Sequence, residues 1–176
     1  MANSQFTNQH FMQMCWVVGD LPAAMQAWAH HAGVGPFFCF DGVPFADGHY
    51  RGRPAEFPEV SAAIAYAGDL QIELVCQDND DPGVFRDLFS RGQFGLHHMA
   101  LTCHDYETER DTYIAGGADL AFEGSLQGSR TSWVDTSPSL GFMVELLEAS
   151  PEREHVFAAM RSAAQTWDGK HLTASF

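Results

Sequence analysis

Two stretches of this chain answer to each other at a constant offset of 85 residues: QMCWVVGDLPAAMQAW from Gln13, and HMALTCHDYETERDTY from His98. The offset pairs Met14 with Met99, Cys15 with Ala100, Trp16 with Leu101, Asp20 with Asp105 and Trp28 with Tyr113. In each copy a β-favouring apolar run leads to an Asp placed to cap a helix, and the helical stretch stops at Gly33 or at Gly116-Gly117. A βα unit used twice cannot cover its own apolar face, so the copies are expected to stack.

A second pairing lies downstream, where LQIELVCQ around Glu73 answers to FMVELLEA around Glu145, each with a carboxylate in mid-strand. The marked positions are 60 residues apart in the first copy (73 minus 13) and 47 in the second (145 minus 98). The excess of 13 falls in GPFFCFDGVPFADGHYRGRPAEFP, whose Gly, Pro and Phe read as a loop or hairpin over a pocket. Val60 to Asp69 reads as a strand turning at Gly68 into the Glu73 strand, and SRTSWVDTSPSLGFMVELLE repeats that grammar. The organisation expected is a single α+β domain of two βαβββ modules in tandem, forming a curved sheet or barrel-like pocket. Module 1 covers about 11–80, a linker helix about 82–91, module 2 about 95–148, and a C-terminal helix about 151–167, with Phe157 and Met160 on one face.

With 176 residues, 45% of them hydrophobic, the chain is long enough for one well-buried domain. Its formal net charge of −14 argues against a nucleic-acid partner, which requires clustered Lys and Arg to displace counterions. No run approaches the roughly 18 apolar residues of a membrane span, and MANSQFTNQHF has neither the basic nor the apolar region of a leader. The expected location is cytoplasmic, with a small molecule as partner. Cys15, Cys39, Cys76 and Cys103 form no CxxC pair and read as reduced core residues.

A charge in the middle of a buried strand is expensive unless a metal or counter-ion pairs with it. This chain places one there twice, at matched positions. If the copies stack about a pseudo-twofold axis, Gln13 and His98 on the first strands and Glu73 and Glu145 on the last converge on one point. One amide oxygen, one imidazole and two carboxylates make a site for a single divalent ion: Zn, Ni, Co, Mn or Fe. His97 should point to the opposite face by strand alternation and serve in packing or in supporting the site.

The succession of ligand, apolar strand, Asp-Leu, helix, GVGPFF, QIELV, GLHHMAL and VEL resembles the vicinal oxygen chelate superfamily from about Phe11 to Glu148. Methylmalonyl-CoA epimerases and glyoxalase-like proteins are the most similar members. The resemblance implies metal ligands at Gln13, Glu73, His98 and Glu145; Gln also occupies the first position in some glyoxalase I enzymes. It does not extend to glutathione recognition, where Val17 and Gln77 replace the family's Arg and Asn. Nor does it extend to the epimerases' additional basic Glu, since SAAIAYAG carries no acid.

The activity implied is that of a metal-dependent isomerase, epimerase or glyoxalase-type lyase, working through a metal-stabilised enolate with Glu145 as base and Glu73 as second catalytic carboxylate. A homodimer is compatible, because family members pair modules within or between chains. Phe37, Phe38, Phe40, Tyr66 and Trp133 are expected to wall an apolar substrate pocket, joined by Phe45 and Phe57, and suit a hydrophobic carbonyl or acyl-thioester compound. Arg51, Arg53 and Arg130 are the cations available to an anionic substrate group. The alternatives are an extradiol-type dioxygenase, which takes two His and one Glu, and a non-catalytic binder resembling the bleomycin-resistance proteins.

Overall fold

Each repeat folds as the spacing predicts. In the computed structural model, which describes residues 10–176, the chain runs β1 (Phe11–Val17), α1 (Leu21–Ala32), β2 (Phe37–Asp41), β3 (Ala46–Tyr50), β4 (Arg53–Pro54), β5 (Ser61–Ala67) and β6 (Leu70–Cys76). After α2 (Val84–Leu88) come β7 (Gly95–Cys103), α3 (Tyr106–Ala115), β8 (Asp119–Leu126), β9 (Ser129–Asp135), α4 (Ser137–Leu140), β10 (Met143–Glu148), α5 (Pro151–Gln165) and β11 (Thr173–Ala174). The helix starts are set by side chains that satisfy otherwise unpaired backbone N–H groups. Asp20 accepts from Ala23 N at 2.8 Å, Asp105 from Thr108 N at 3.4 Å, and Ser150 from Arg153 N at 3.2 Å. Gly33 ends α1 in the left-handed region at φ 64°, where a Cβ would be strained.

Within each module the first strand lies parallel to the last, β1 beside β6 and β7 beside β10, and the remaining pairs are antiparallel. β1 and β7 join the modules antiparallel with Met14 opposite Met99, so the local twofold passes between two residues that the 85-residue offset makes equivalent. The result is one mixed, curved sheet ordered β11-β2-β5-β6-β1-β7-β10-β9-β8-β3-β4. Two bulges interrupt the β1–β7 seam and leave Met12 and His97 as the extra residues, again 85 apart.

The outer face of module 1 packs Leu21 and Met25 of α1 on Phe37, Ile72 and Leu74. That of module 2 packs Tyr106 of α3 on Leu101, Val134, Val144 and Leu146. Each such side chain, fully buried, contributes about 1.5–3 kcal/mol. The inner face holds Cys15, Val17, Phe122, Trp133 and Met143 beneath Phe45 and Phe57.

The segment read as a loop or hairpin over a pocket is more ordered than that. Phe37–Asp41 is a sheet strand, and the β3–β4 hairpin leaves its own module to pair with β8 of the other. Phe37 is therefore no pocket wall: consecutive residues of a strand face opposite sides, and Phe37 lies under α1 while Phe38 faces inward. Phe38 and Tyr66 are themselves covered by Met160 of α5, which crosses back onto module 1. All four cysteines are free, but only Cys15 and Cys103 are buried; Cys39 is exposed and Cys76 intermediate. No helix among the described residues is long and apolar enough to cross a membrane.

Candidate metal centre

His98, Glu73 and Glu145 come from β7, β6 and β10, three of the four neighbouring strands β6-β1-β7-β10 around the twofold seam. The strand register sets them there: Cys15 of β1 lies opposite both Glu73 and His98, and its repeat-mate Ala100 lies opposite Glu145. His98 Nε2 stands 3.3 Å from Glu73 Oε2 and 3.1 Å from Glu145 Oε2. The imidazole is wholly buried, and the carboxylate side chains are only 16% and 8% exposed. Burial pulls His98 down, but the two carboxylates outweigh it and hold the imidazole at about 9. Glu145 is pushed up by its own burial.

The orientation of His98 is fixed from behind. The bulge breaks the alternation that would send His97 to the far face, and its ring instead lies 4.7 Å from that of Phe85. His97 Nε2 is 2.9 Å from the Val84 carbonyl, which only accepts, so this nitrogen carries the proton. Burial holds His97 neutral, down at about 3, leaving a lone pair on Nδ1. The 2.9 Å contact between the two Nδ1 atoms then requires His98 to donate. Trp133 Nε1 approaches the same nitrogen at 3.3 Å, and the shorter contact decides the tautomer. His98 Nε2 is thereby turned, as ligand, toward the carboxylates. An N–H donated to an acceptor behind a metal-binding imidazole is the usual means of orienting it.

A second relay orients Gln13. Its Nε2 donates to Gln71 Oε1 at 2.5 Å, and Gln71 Nε2 donates to the Tyr66 hydroxyl at 2.9 Å. Gln13 Oε1, buried, has no hydrogen-bond partner, and neither does His98 Nε2 apart from the carboxylates beside it. An unpaired buried amide oxygen is costly. A divalent cation would satisfy it together with the imidazole and two acids, so the donor set fits a metal. Cys15 reads from the sequence as a reduced core residue and not as a ligand, yet its Sγ, one carboxylate oxygen of Glu73 and a His98 nitrogen all lie within 4.8 Å of one another. Among the described residues these three form the candidate metal-holding cluster of His, Cys and acid side chains, and Glu145 is not part of it. Burial, then Glu73, pushes the Cys15 thiol well up, so it stays protonated in the metal-free protein. Cys15 and Gln71 each sit two residues from an expected ligand on the same strand, and that spacing was the available signal.

The centre lies in the wall of an inner-face cavity of about 490 Å³, bounded by Gln13, Glu73 and Glu145 on one side and by mainly apolar side chains elsewhere. Of the expected pocket residues Phe40 and Trp133 line it, and so do Phe57, stacked on Trp133 at 5.3 Å, and Phe45, edge-on to Trp133 at 5.8 Å. Tyr66 supports Gln13 through Gln71 instead. Arg51 is engaged by Asp87 and Asp135 at 2.7 and 2.8 Å, Arg130 by Glu107 and Glu148, and Arg53 is exposed on β4.

Residues 12–134 match the family described as the glyoxalase/bleomycin resistance protein/dioxygenase superfamily, well over half of the chain. The chain belongs to that superfamily. The match takes in Gln13, Glu73 and His98 and stops before Glu145. Among solved structures the fold is similar to a hypothetical protein from Bacillus halodurans C-125 (TM-score 0.61, 14% identity, covering 82% of this chain and 96% of that one). It is also similar to the methylmalonyl-CoA epimerase of Mycobacterium tuberculosis (TM-score 0.57, 16% identity, 88% and 97%). A Streptomyces coelicolor methylmalonyl-CoA epimerase variant in complex with 2-nitronate-propionyl-CoA gives a TM-score of 0.59 at 17% identity, covering 81% and 98%. No curated protein matches the sequence significantly.

Proposed function

We propose that this chain is a divalent-metal-dependent isomerase, epimerase or glyoxalase-type lyase acting on a hydrophobic carbonyl or acyl-thioester compound. The observation that carries this reading is His98 Nε2 set against Glu73 and Glu145, with those two carboxylates and Gln13, whose buried Oε1 is unpaired, in the wall of a mainly apolar cavity. Gln13 Oε1, His98 Nε2, Glu73 and Glu145 would hold the ion. When bound, a divalent ion supplies Lewis-acid polarisation of a substrate carbonyl, which makes the neighbouring C–H acidic.

The side chains do the rest. Glu145 faces the cavity from β10 and accepts the proton, and Glu73, across His98 from it, is the second carboxylate able to return it. Ala62 and Ile64 are the residues that β5 presents to the cavity, so no further acid on that strand shares the proton traffic. Phe45, Phe57 and Trp133 exclude water and offer flat apolar surface to the substrate. Glutathione is disfavoured: Val17 is a core residue, and Gln77 Nε2 is spent on Asn79 Oδ1 and the Asp81 carbonyl. An extradiol dioxygenase is disfavoured as well, because His97 Nε2 faces Val84 O and a single imidazole reaches the centre.

Metal content by mass spectrometry on protein purified without chelator tests the site. About one ion per chain, lost in the His98→Ala/Glu145→Ala double variant, is expected. Glu145→Gln should retain the fold but abolish solvent-deuterium exchange into a carbonyl substrate, and an unaffected rate would remove Glu145 as base.

A further inference from the structure

The cavity wall carries a cation that the proposed reaction does not use, within electrostatic reach of Glu145. Arg153, in the first turn of α5, is half-buried and lines the cavity with Ser129 and Thr131 of β9 and with Ser150. Its Nη1 donates to the carbonyls of Glu148 at 2.7 Å and Arg130 at 3.4 Å, and its Nη2 donates to Thr131 Oγ1 at 3.0 Å. A guanidinium has five N–H donors, so Nε–H and one Nη2–H are left without a partner among the described residues. Arg153 has no carboxylate in ion-pair range among the described residues, whereas Arg51, Arg110 and Arg130 each have two or more. Glu148 is spent side-on upon Arg130, and Glu152 and Glu154, which flank Arg153 in the chain, make no ion pair with it, although Glu152 lines the same cavity. A half-buried cation held rigidly by three bonds, with two donors left over and an apolar cavity before it, is matched by an anion with two acceptor oxygens.

The register places this cation relative to the centre. Glu145 lies opposite Trp133, and one pleat further on Leu147 lies opposite Thr131. The two rows are about 7 Å apart along the strands, and Leu147 lines the cavity beside Thr131.

We propose that Arg153, Thr131 and Ser129 form a carboxylate subsite, and that the ligand is a medium-length apolar oxo-carboxylate lying along β9 and β10, its carboxylate on Arg153 and its carbonyl toward Glu145. The placement of the carbonyl rests on the function proposed above; the carboxylate subsite does not. Arg153 takes the place in this chain that the loop cations Arg51, Arg53 and Arg130 held in the sequence reading.

The test compares 6-oxoheptanoate with its methyl ester by calorimetry, on metal-free and on Ni-loaded full-length protein, and follows the Arg153 Nε–H resonance by NMR. The acid is expected to bind about tenfold or more tighter than the ester in both forms, the equivalent of one charge-assisted hydrogen bond, and to shift the Nε–H signal. Arg153→Met should erase the difference while leaving ester binding unchanged. Should that variant fail to fold, the wild-type ratio and the Nε–H shift carry the result. Equal affinities for acid and ester, no binding of either, or an acid preference that survives in a folded Arg153→Met would each overturn the subsite. An acid preference confined to the Ni-loaded form would also overturn it, placing the carboxylate on the metal. Absence of bound metal with the preference intact would instead count against the proposed function alone.

Discussion

The relay behind His98 makes a quantitative claim. In His97→Leu the acceptor for His98 Nδ1–H and the donor to Val84 O both disappear, in a place where both imidazoles are fully buried. Each buried group left unpaired costs about 1–3 kcal/mol, so the metal-free protein should lose a few kcal/mol. The larger consequence is functional: His98 is no longer held in the tautomer that frees Nε2, and loss of such a supporting group lowers metal affinity by about 10–100-fold. Competition against a calibrated chelator with Zn or Ni reads the affinity, and urea unfolding reads the stability. Trp133→Phe is the control, since it removes the indole N–H that lies 3.3 Å from the same nitrogen; it should change metal affinity little. Wild-type affinity in a folded His97→Leu would refute the relay. So would an equal loss in Trp133→Phe, which would make the indole the donor and invert the His98 tautomer.

Two further predictions follow from the electrostatics of the centre. In the metal-free protein the carboxylates hold His98 at about 9, above its ordinary 6.5, so the proton on it stabilises the fold. That contribution is whole below about pH 6.5 and is lost as the pH rises through 9. Urea midpoints should fall across that window by an amount on the order of a few kcal/mol, and saturating Zn should flatten the fall; a flat metal-free profile would contradict the charge assignment. For Cys15, ionising the thiol would set a third negative charge beside Glu73 and Glu145, so it should stay out of the coordination shell. Cobalt-loaded protein is then expected to show no thiolate-to-cobalt absorption, and a band that vanishes in Cys15→Ser would bring Cys15 in as a ligand.

The features legible in the sequence are those that act locally or repeat. Asp20 and Asp105 cap their helices because an N-cap needs a residue only three positions away, and the 85-residue offset survives as the twofold between Met14 and Met99. What was not legible depends on partners distant in the chain. Nothing within Ala46–Pro54 tells that its hairpin pairs with β8, or within Thr173–Ala174 that it extends the sheet beside β2. Phe37 and Phe38 could not both face a pocket once the segment was a strand, but reading it as a loop removed that constraint. The bulge at His97 likewise displaced a residue that simple alternation assigns to the far face.

The departures from repeat symmetry shape the centre and the cavity beside it. Because the twofold runs through the β1–β7 seam, the matched last strands bring Glu73 and Glu145 to the two sides of His98. Symmetry would place identical ligands on the first strands, but Gln13 stands where His98 does, and Met12 where His97 does. Module 2 therefore supplies the imidazole and its relay, and module 1 supplies a neutral oxygen steered by Gln71 and Tyr66. The segments added to each module are exchanged: β3 of the first extends the sheet of the second, while α5 of the second covers β5 of the first. Both additions bridge the two modules, and α5 residues Val156, Phe157 and Met160 line the cavity. Destabilising α5 should therefore open the pocket as well as weaken the fold.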